Sequence, residues 1–180
     1  NPGIKDDNIK SMKCATKMEF CNLIDKVKGC DKVWLVITTH GSNVERDGVK
    51  PWRIQFNDGW IEIEKVINKL KKSTAKKWCI VAETCHSGCF IDKARGQIDA
   101  EIGAAAAADK TSKGWTFYTD TNTNGRWDVG EPKWGYWHYL EEFEKCLVDT
   151  NTNADLTTNG GDGDGKVSLK EAHNWAKAKL

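Results

Sequence analysis

Two apolar runs in this chain end on chemically reactive residues. Val33-Trp34-Leu35-Val36-Ile37 leads into Thr38-Thr39-His40-Gly41-Ser42, and Trp78-Cys79-Ile80-Val81-Ala82 leads into Glu83-Thr84-Cys85-His86-Ser87-Gly88. Short continuous apolar runs bounded by turn residues suit strands covered on both faces. Elsewhere the period changes. Phe20, Leu23, Ile24 and Val27 recur at i, i+3, i+4 and i+7, which predicts an amphipathic helix stopped by Gly29. Trp52, Ile54 and Phe56 alternate, as in a strand or hairpin arm. Asp58 reads as the cap of a helix carrying Trp60, Ile63, Val66, Ile67 and Leu70 on one face. Residues 91–99 read as a linker. Ile102–Ala108 and Trp115–Thr119 follow as strands. Tyr136, Leu140, Phe143 and Leu147 mark a helix, and Leu169–Lys177 a closing one.

The order helix, strand, helix, strand, strand predicts an α/β fold with parallel pairing and helical crossovers. Ile80–Ala82, apolar on both sides, belongs at the centre of the sheet. Parallel pairing of the two reactive strands sets His40 and Cys85 at one carboxyl edge, where open α/β sheets bind ligands. A thiol with an imidazole in reach is the arrangement for nucleophilic catalysis. Cys85 then attacks a carbonyl, and His40 poises the thiol and protonates the leaving group. The N–H groups of Cys85 and Gly41 are the candidate oxyanion hole. His86 is a rival base, handicapped by its place directly beside the nucleophile.

Composition narrows the picture. The 180 residues suit one domain with a small appendage, divided here as 1–148 and 149–180. With 27 basic and 26 acidic residues, no net field favours nucleic acid or an anionic membrane. The lysines between Lys65 and Lys77 read as a solvated helix face. No apolar run approaches the ~20 residues that span a bilayer. The start Asn1-Pro2-Gly3, without Met or a signal sequence, reads as either a processed form or an excised piece of a longer chain. Seven cysteines suit either a reduced cytosolic protein or an oxidised secreted one. Cys85 and Cys89 lack the partner pair of a zinc site.

The two motifs, in this order, resemble those of the caspase-like cysteine peptidases. Val36-Ile37-Thr38-Thr39-His40-Gly41-Ser42 is similar to a legumain strand, and Glu83-Thr84-Cys85-His86-Ser87-Gly88 lies between legumain and metacaspase patterns. Ala104–Ala108 with Asp109-Lys110-Thr111-Ser112 resembles the legumain-like segment that lines the primary specificity pocket. The resemblance covers roughly residues 15–147. It implies a caspase-like, open, mostly parallel sheet flanked by helices, acting on peptide substrates. Glu83, Ser42, Ala107 and Asp109 become candidate substrate contacts. An acid at Glu83 implies preference for Arg or Lys before the scissile bond, whereas legumains use a similar acid in an Asn pocket. Thr39 replaces the Asp that legumains carry before their catalytic His. The family's first strand is absent ahead of His40, so either a cleaved N-terminal fragment stays associated as a partner or the sheet is smaller than usual.

Two loops carry oxygen ligands at calcium spacing. Asp120, Asn122, Asn124, Arg126 (through its carbonyl), Asp128 and Glu131 fit an EF-hand register, with Gly125 at the sharp turn. Near the C-terminus, Asp162, Asp164, Lys166 (through its carbonyl) and Glu171 fit a second, EF-hand-like segment. Gly160 falls at its first ligand position, so Asn159 or Asp155 must substitute. The expected activity is therefore that of a calcium-binding cysteine endopeptidase. Weak calcium sites of this kind suit a secreted or extracytoplasmic protein. A peptide ligase using the same acyl-enzyme, or a non-catalytic calcium-responsive module, stays open.

Overall fold

The computed structural model describes residues 10, 12, 15–44, 51–112, 114–118, 133–148 and 153–179. The first helix, α1 (Lys17–Lys26), starts at Thr16, whose hydroxyl accepts from the Glu19 N–H while Glu19 reaches back to the Thr16 N–H. This reciprocal cap satisfies donors that a helix start leaves unpaired. Phe20 and Ile24 are its buried face.

Strand β1 (Lys32–Thr38) follows, then the short β2 (Gly41–Ser42) and a hairpin of β3 (Arg53–Phe56) and β4 (Gly59–Glu62). Helix α2 (Ile63–Lys72) comes next, then β5 (Lys77–Glu83), α3 (Cys89–Ala94) and β6 (Ala100–Ala104). The chain continues through β7 (Gly114–Tyr118), β8 (Lys133–Trp137), α4 (His138–Val148) and α5 (Leu169–Ala178). Strands β1, β5 and β6 form one parallel sheet with β5 in the middle. The expected α/β architecture and the central place of the cysteine strand are what the fold has.

Alternation along β5 divides the interior in two. Trp78, Ile80 and Ala82 join Phe20, Ile24, Ile63, Val66, Ile67, Leu70, Cys89 and Phe90 on one face. Cys79 and Val81 join Tyr139, Phe143, Cys146, Ala154, Leu169, Ala172 and Ala176 on the other. Every residue from Trp78 to Glu83 is buried, as a strand with helices on both faces requires. Each fully buried Ile or Val here contributes about 1.5–3 kcal/mol relative to an exposed one. Residues 153–179 thus share a core with the central strand.

Some boundaries depart from the sequence reading. Asn57-Asp58 makes the two-residue turn of the β3–β4 hairpin, and Gly59 opens β4 at φ 115°. Trp60 therefore lies in a strand, and α2 begins only at Ile63, without a side-chain cap. Asp58 instead accepts from the Lys17 N–H at 2.9 Å, across the fold at the start of α1. Residues 91–99 are not a plain linker, because α3 continues to Ala94. Strand β6 runs from Ala100 and stops at Ala104, since the backbone beyond it turns to meet the Cys85 loop. Tyr136 belongs to β8 rather than to the helix after it. The first calcium-type loop, Asp120 to Glu131, lies outside the described residues. No helix among the described residues is long and apolar enough to cross a membrane.

Candidate active site

Parallel pairing runs from Lys32 opposite Lys77 to Thr38 opposite Glu83. One residue on, the Thr39 N–H donates to the Glu83 carbonyl at 3.3 Å. The same register carried forward sets His40 level with Cys85 at the sheet's carboxyl edge. Contact is direct at the next residue. A Cβ built on Gly41 would lie 1.9 Å from the Cys85 carbonyl oxygen, so the two backbones meet where only glycine fits. His40 is exposed and Cys85 half-buried, as a nucleophile open to substrate must be. The β3 strand braces the histidine: the Gln55 N–H donates to the His40 carbonyl at 3.0 Å, and the Thr39 hydroxyl donates to the Gln55 carbonyl at 2.8 Å.

The Cys85 turn is fastened to residues 106–110. The His86 N–H donates to the Lys110 carbonyl at 2.8 Å, and the Gly88 N–H to the Ala106 carbonyl at 2.7 Å. Ser87 is buried, and its hydroxyl accepts from the Ala106 N–H at 2.9 Å. The Ala108 carbonyl meets both His86 Nδ1, at 3.0 Å, and the Trp52 indole N–H, at 2.9 Å. A Cβ at Gly88 would lie 2.6 Å from the Ala108 nitrogen, so this strap too requires glycine. His86 stands at φ 61°, in the left-handed region that non-glycine residues rarely occupy. Its ring holds the strap, which leaves His40 as the imidazole at the carboxyl edge.

The other candidates divide between surface and interior. Ala107 and Asp109 are exposed on the strap, with Asp109 3.4 Å from the Lys110 ammonium. The Ser42 hydroxyl accepts from the Val44 N–H at 3.2 Å. Glu83 is fully buried. One of its oxygens accepts from the Ser112 hydroxyl, the other from the Leu140 N–H at 2.7 Å. It thereby caps the start of α4, where orphan N–H groups and the helix dipole favour an anion. Beside Leu140, Tyr139 is wholly buried, and its hydroxyl sits 2.7 Å from His173 Nδ1 on α5. Burial, then the nearby Glu83 charge, holds the Tyr139 phenol far above its ordinary range. Burial and Lys177 push the His173 ring below its own. With both groups neutral, a single hydrogen bond joins the phenol and Nδ1, its direction set by the His173 tautomer.

The thiols separate by burial. Burial pushes Cys89 up to about 12 and Cys146 up to about 11, so both are protonated near neutrality. Cys21, Cys30, Cys79, Cys85, Cys89 and Cys146 are all free thiols.

In the C-terminal loop, carboxylate oxygens of Asp155, Asp162 and Glu171 lie within 4.8 Å of one another. Asp155 Oδ2 accepts from the Gly165 N–H at 3.0 Å, while its Oδ1 is buried without a partner. Glu171 takes the Asp162 N–H at 2.8 Å and the Ser168 N–H at 2.7 Å. Those backbone bonds hold its carboxyl below the usual range. Of the two residues the sequence offered in place of Gly160, Asp155 is the one whose carboxylate lies beside Asp162 and Glu171. Asp164 turns to accept from the Lys166 N–H at 2.8 Å and lies outside the cluster.

Sequence reasoning missed Ser112, Ser87, Trp52 and the Tyr139–His173 pair. Only Ser87, small and polar beside the nucleophile, left a local trace. The others act across 29 or more residues of chain, with no spacing to betray them.

A helix-flanked parallel sheet, with a cysteine turn and a histidine at one carboxyl edge, defines the α/β cysteine hydrolases. The Peptidase C13 family model matches residues 20–177, and the chain belongs to that family: it is a legumain-like cysteine peptidase. No curated protein and no solved structure matches it.

Proposed function

We propose that this peptidase is an endopeptidase working through a Cys85–His40 dyad. The observation that carries the reading is the β1–β5 register, which brings His40 level with Cys85 and presses Gly41 on the Cys85 carbonyl. His40 takes the Cys85 thiol proton as Sγ attacks the peptide carbonyl carbon. The N–H groups of Cys85 and Gly41 receive the oxyanion. Collapse breaks the C–N bond, and the amine leaves with a proton from His40, giving a thioester. Water, deprotonated by His40, then hydrolyses the thioester.

Glu83 is the proposed selector for Arg, Lys or Asn before the scissile bond. Both its oxygens are engaged, so a substrate group reaches it by taking the place of the Ser112 hydroxyl. Ser42, Ala107 and Asp109 border the same edge.

The cofactor we propose is calcium. Clustered carboxylates are its preferred donors, and a buried Asp155 oxygen without a partner fits a cation better than an empty loop. Asp155, Asp162 and Glu171 would hold it, with Asp164 and the Lys166 carbonyl as further candidates, and Asp120–Glu131 as a second loop. The ion would supply charge neutralisation that fixes the loop, with no part in the chemistry. Sites of this type suit an extracytoplasmic setting. An N-terminal fragment is a further partner we propose, and it would pair with β1, which among the described strands pairs only with β5.

The test is cleavage of peptides differing only in the residue before the scissile bond (Arg, Lys, Asn, Asp, Ala), with calcium and with chelator. Activity abolished in Cys85→Ala and in His40→Ala supports the dyad. Undiminished turnover in either variant overturns it. Joined rather than hydrolysed products would reassign the enzyme as a ligase.

A further inference from the structure

The second core holds a polar pair that the chemistry above does not use. Tyr139 is completely buried, and its hydroxyl lies over the central strands: a Cβ at Gly103 would come within 2.6 Å of it. Gly103 is the β6 partner of Val81 on β5. Phenylalanine would fill the same space without burying a hydroxyl. Burying one is costly unless it is paired, and this one is paired, to His173 Nδ1 at 2.7 Å. The rings also meet edge to face, with centroids 5.7 Å apart. The pair therefore fixes how α4 is rotated and seated against α5 and the sheet. Immediately after Tyr139, the Leu140 N–H meets Glu83, two residues before the nucleophile.

We infer that Tyr139, held by His173, is a positioning residue for the catalytic edge: it seats the first turn of α4 so that Leu140 caps Glu83, and so fixes the strand end that carries Cys85. This rests on the reading of Cys85 as the nucleophile. Neither residue touches substrate. Their effect passes through the Leu140–Glu83 hydrogen bond, and small errors at a nucleophile are expensive in rate.

The test compares wild type with Tyr139→Phe, His173→Leu, His173→Gln and the Tyr139→Phe/His173→Leu double variant, all in the full chain. Circular dichroism and thermal melting confirm folding. The expected result is a fall in kcat of about tenfold for Tyr139→Phe at nearly constant KM. His173→Leu should match it. His173→Gln, which keeps a hydrogen-bond partner for the phenol, should recover most of the rate. The double variant should be no worse than either single one, because the two residues act as a unit. A purely structural pair would lower the melting temperature and leave kcat of the folded enzyme unchanged, and that result overturns the inference. So does an additive loss in the double variant. Should Tyr139→Phe fail to fold, the contrast between His173→Leu and His173→Gln decides alone.

A second readout needs no substrate. Iodoacetamide labelling of Cys85, followed by peptide mass spectrometry, should change severalfold in Tyr139→Phe, with exposed Cys30 unchanged as internal reference. Unchanged Cys85 labelling together with unchanged kcat refutes the positioning role. Retained turnover in Cys85→Ala instead refutes the dyad, so the two failures are distinguishable.

Discussion

A methyl group at position 41 has nowhere to go. It would lie 1.9 Å from the Cys85 carbonyl oxygen, a backbone atom that cannot swing aside. Gly41→Ala must therefore part the two strand ends that bring His40 to Cys85. The expected outcome is a loss of kcat/KM on the order of 100-fold, with a stability cost of about 1–3 kcal/mol. Kinetics and urea melts on one preparation check both, and wild-type kcat/KM in Gly41→Ala would refute the close approach. Thiol chemistry offers a second prediction at this scale. The thiolate is the reactive form, and burial lifts Cys89 to about 12. At pH 8 its thiolate fraction is then on the order of 10⁻⁴. Half-buried Cys85 should alkylate with iodoacetamide in the native protein while Cys89 stays unmodified until denaturant is added. Labelling of Cys89 at the rate of Cys85 would contradict its burial.

Helices α1 and α5 open with the same device, Thr16 with Glu19 and Ser168 with Glu171. In both, hydrogen bonds to the cap residue hold the glutamate carboxyl below its ordinary value. A carboxyl depressed in the folded state stabilises that state above its unfolded pKa and loses the contribution as pH falls through the folded one. Both caps should hold at pH 6 and weaken below about pH 4.5, where these glutamates begin to protonate. Thr16→Ala removes one cap and should cost about 1 kcal/mol at pH 7, with a smaller difference from wild type at pH 3. A difference that does not shrink in acid would show that the Glu19 charge plays no part. Elements like these mark the reach of sequence reasoning. The buried β5 run and the 3.6-residue stripe of α2 were legible because each reflects a local pattern of burial, and β1 because its run is β-branched and apolar, although only Leu35 in it is buried. Asp58 was misread because its partner, the Lys17 N–H, is 41 residues away, and a local cap is all that sequence spacing can suggest. The His40 and Cys85 motifs were legible because each sits where an apolar strand stops. The strap over Gly88 and the Glu83 contacts were not, since they arise only when distant loops converge.

At the scale of the whole molecule, the C-terminal segment is joined to the peptidase core by packing and by charge. Ala154, Leu169, Ala172 and Ala176 complete the apolar face under β5. The carboxylates of Asp155, Asp162 and Glu171 gather in the same segment, Asp155 directly after Ala154 and Glu171 directly before Ala172. Three clustered carboxylates repel one another, and one Asp155 oxygen is buried without a donor. Both costs would be relieved by the divalent cation proposed for this loop. A ligand at free concentration L that binds only the folded state stabilises it by RT ln(1 + L/Kd), about 2.7 kcal/mol at one hundred times Kd. For a domain of this size that corresponds to a rise in Tm of roughly 5–10 °C. Saturating calcium should produce this rise in wild type, and chelator should reverse it. Asp155→Asn removes a charge from the cluster while keeping a similar shape, so its melting temperature should respond much less to calcium. If Asp120–Glu131 also binds, a residual response will persist in Asp155→Asn, and isothermal titration will count one fewer strong site than in wild type. A melting temperature indifferent to calcium in wild type, with no heat of binding, would leave the cluster as a hydrogen-bonded loop closure. The acidic residues would then serve only to cap backbone N–H groups, as Glu171 does for Asp162 and Ser168.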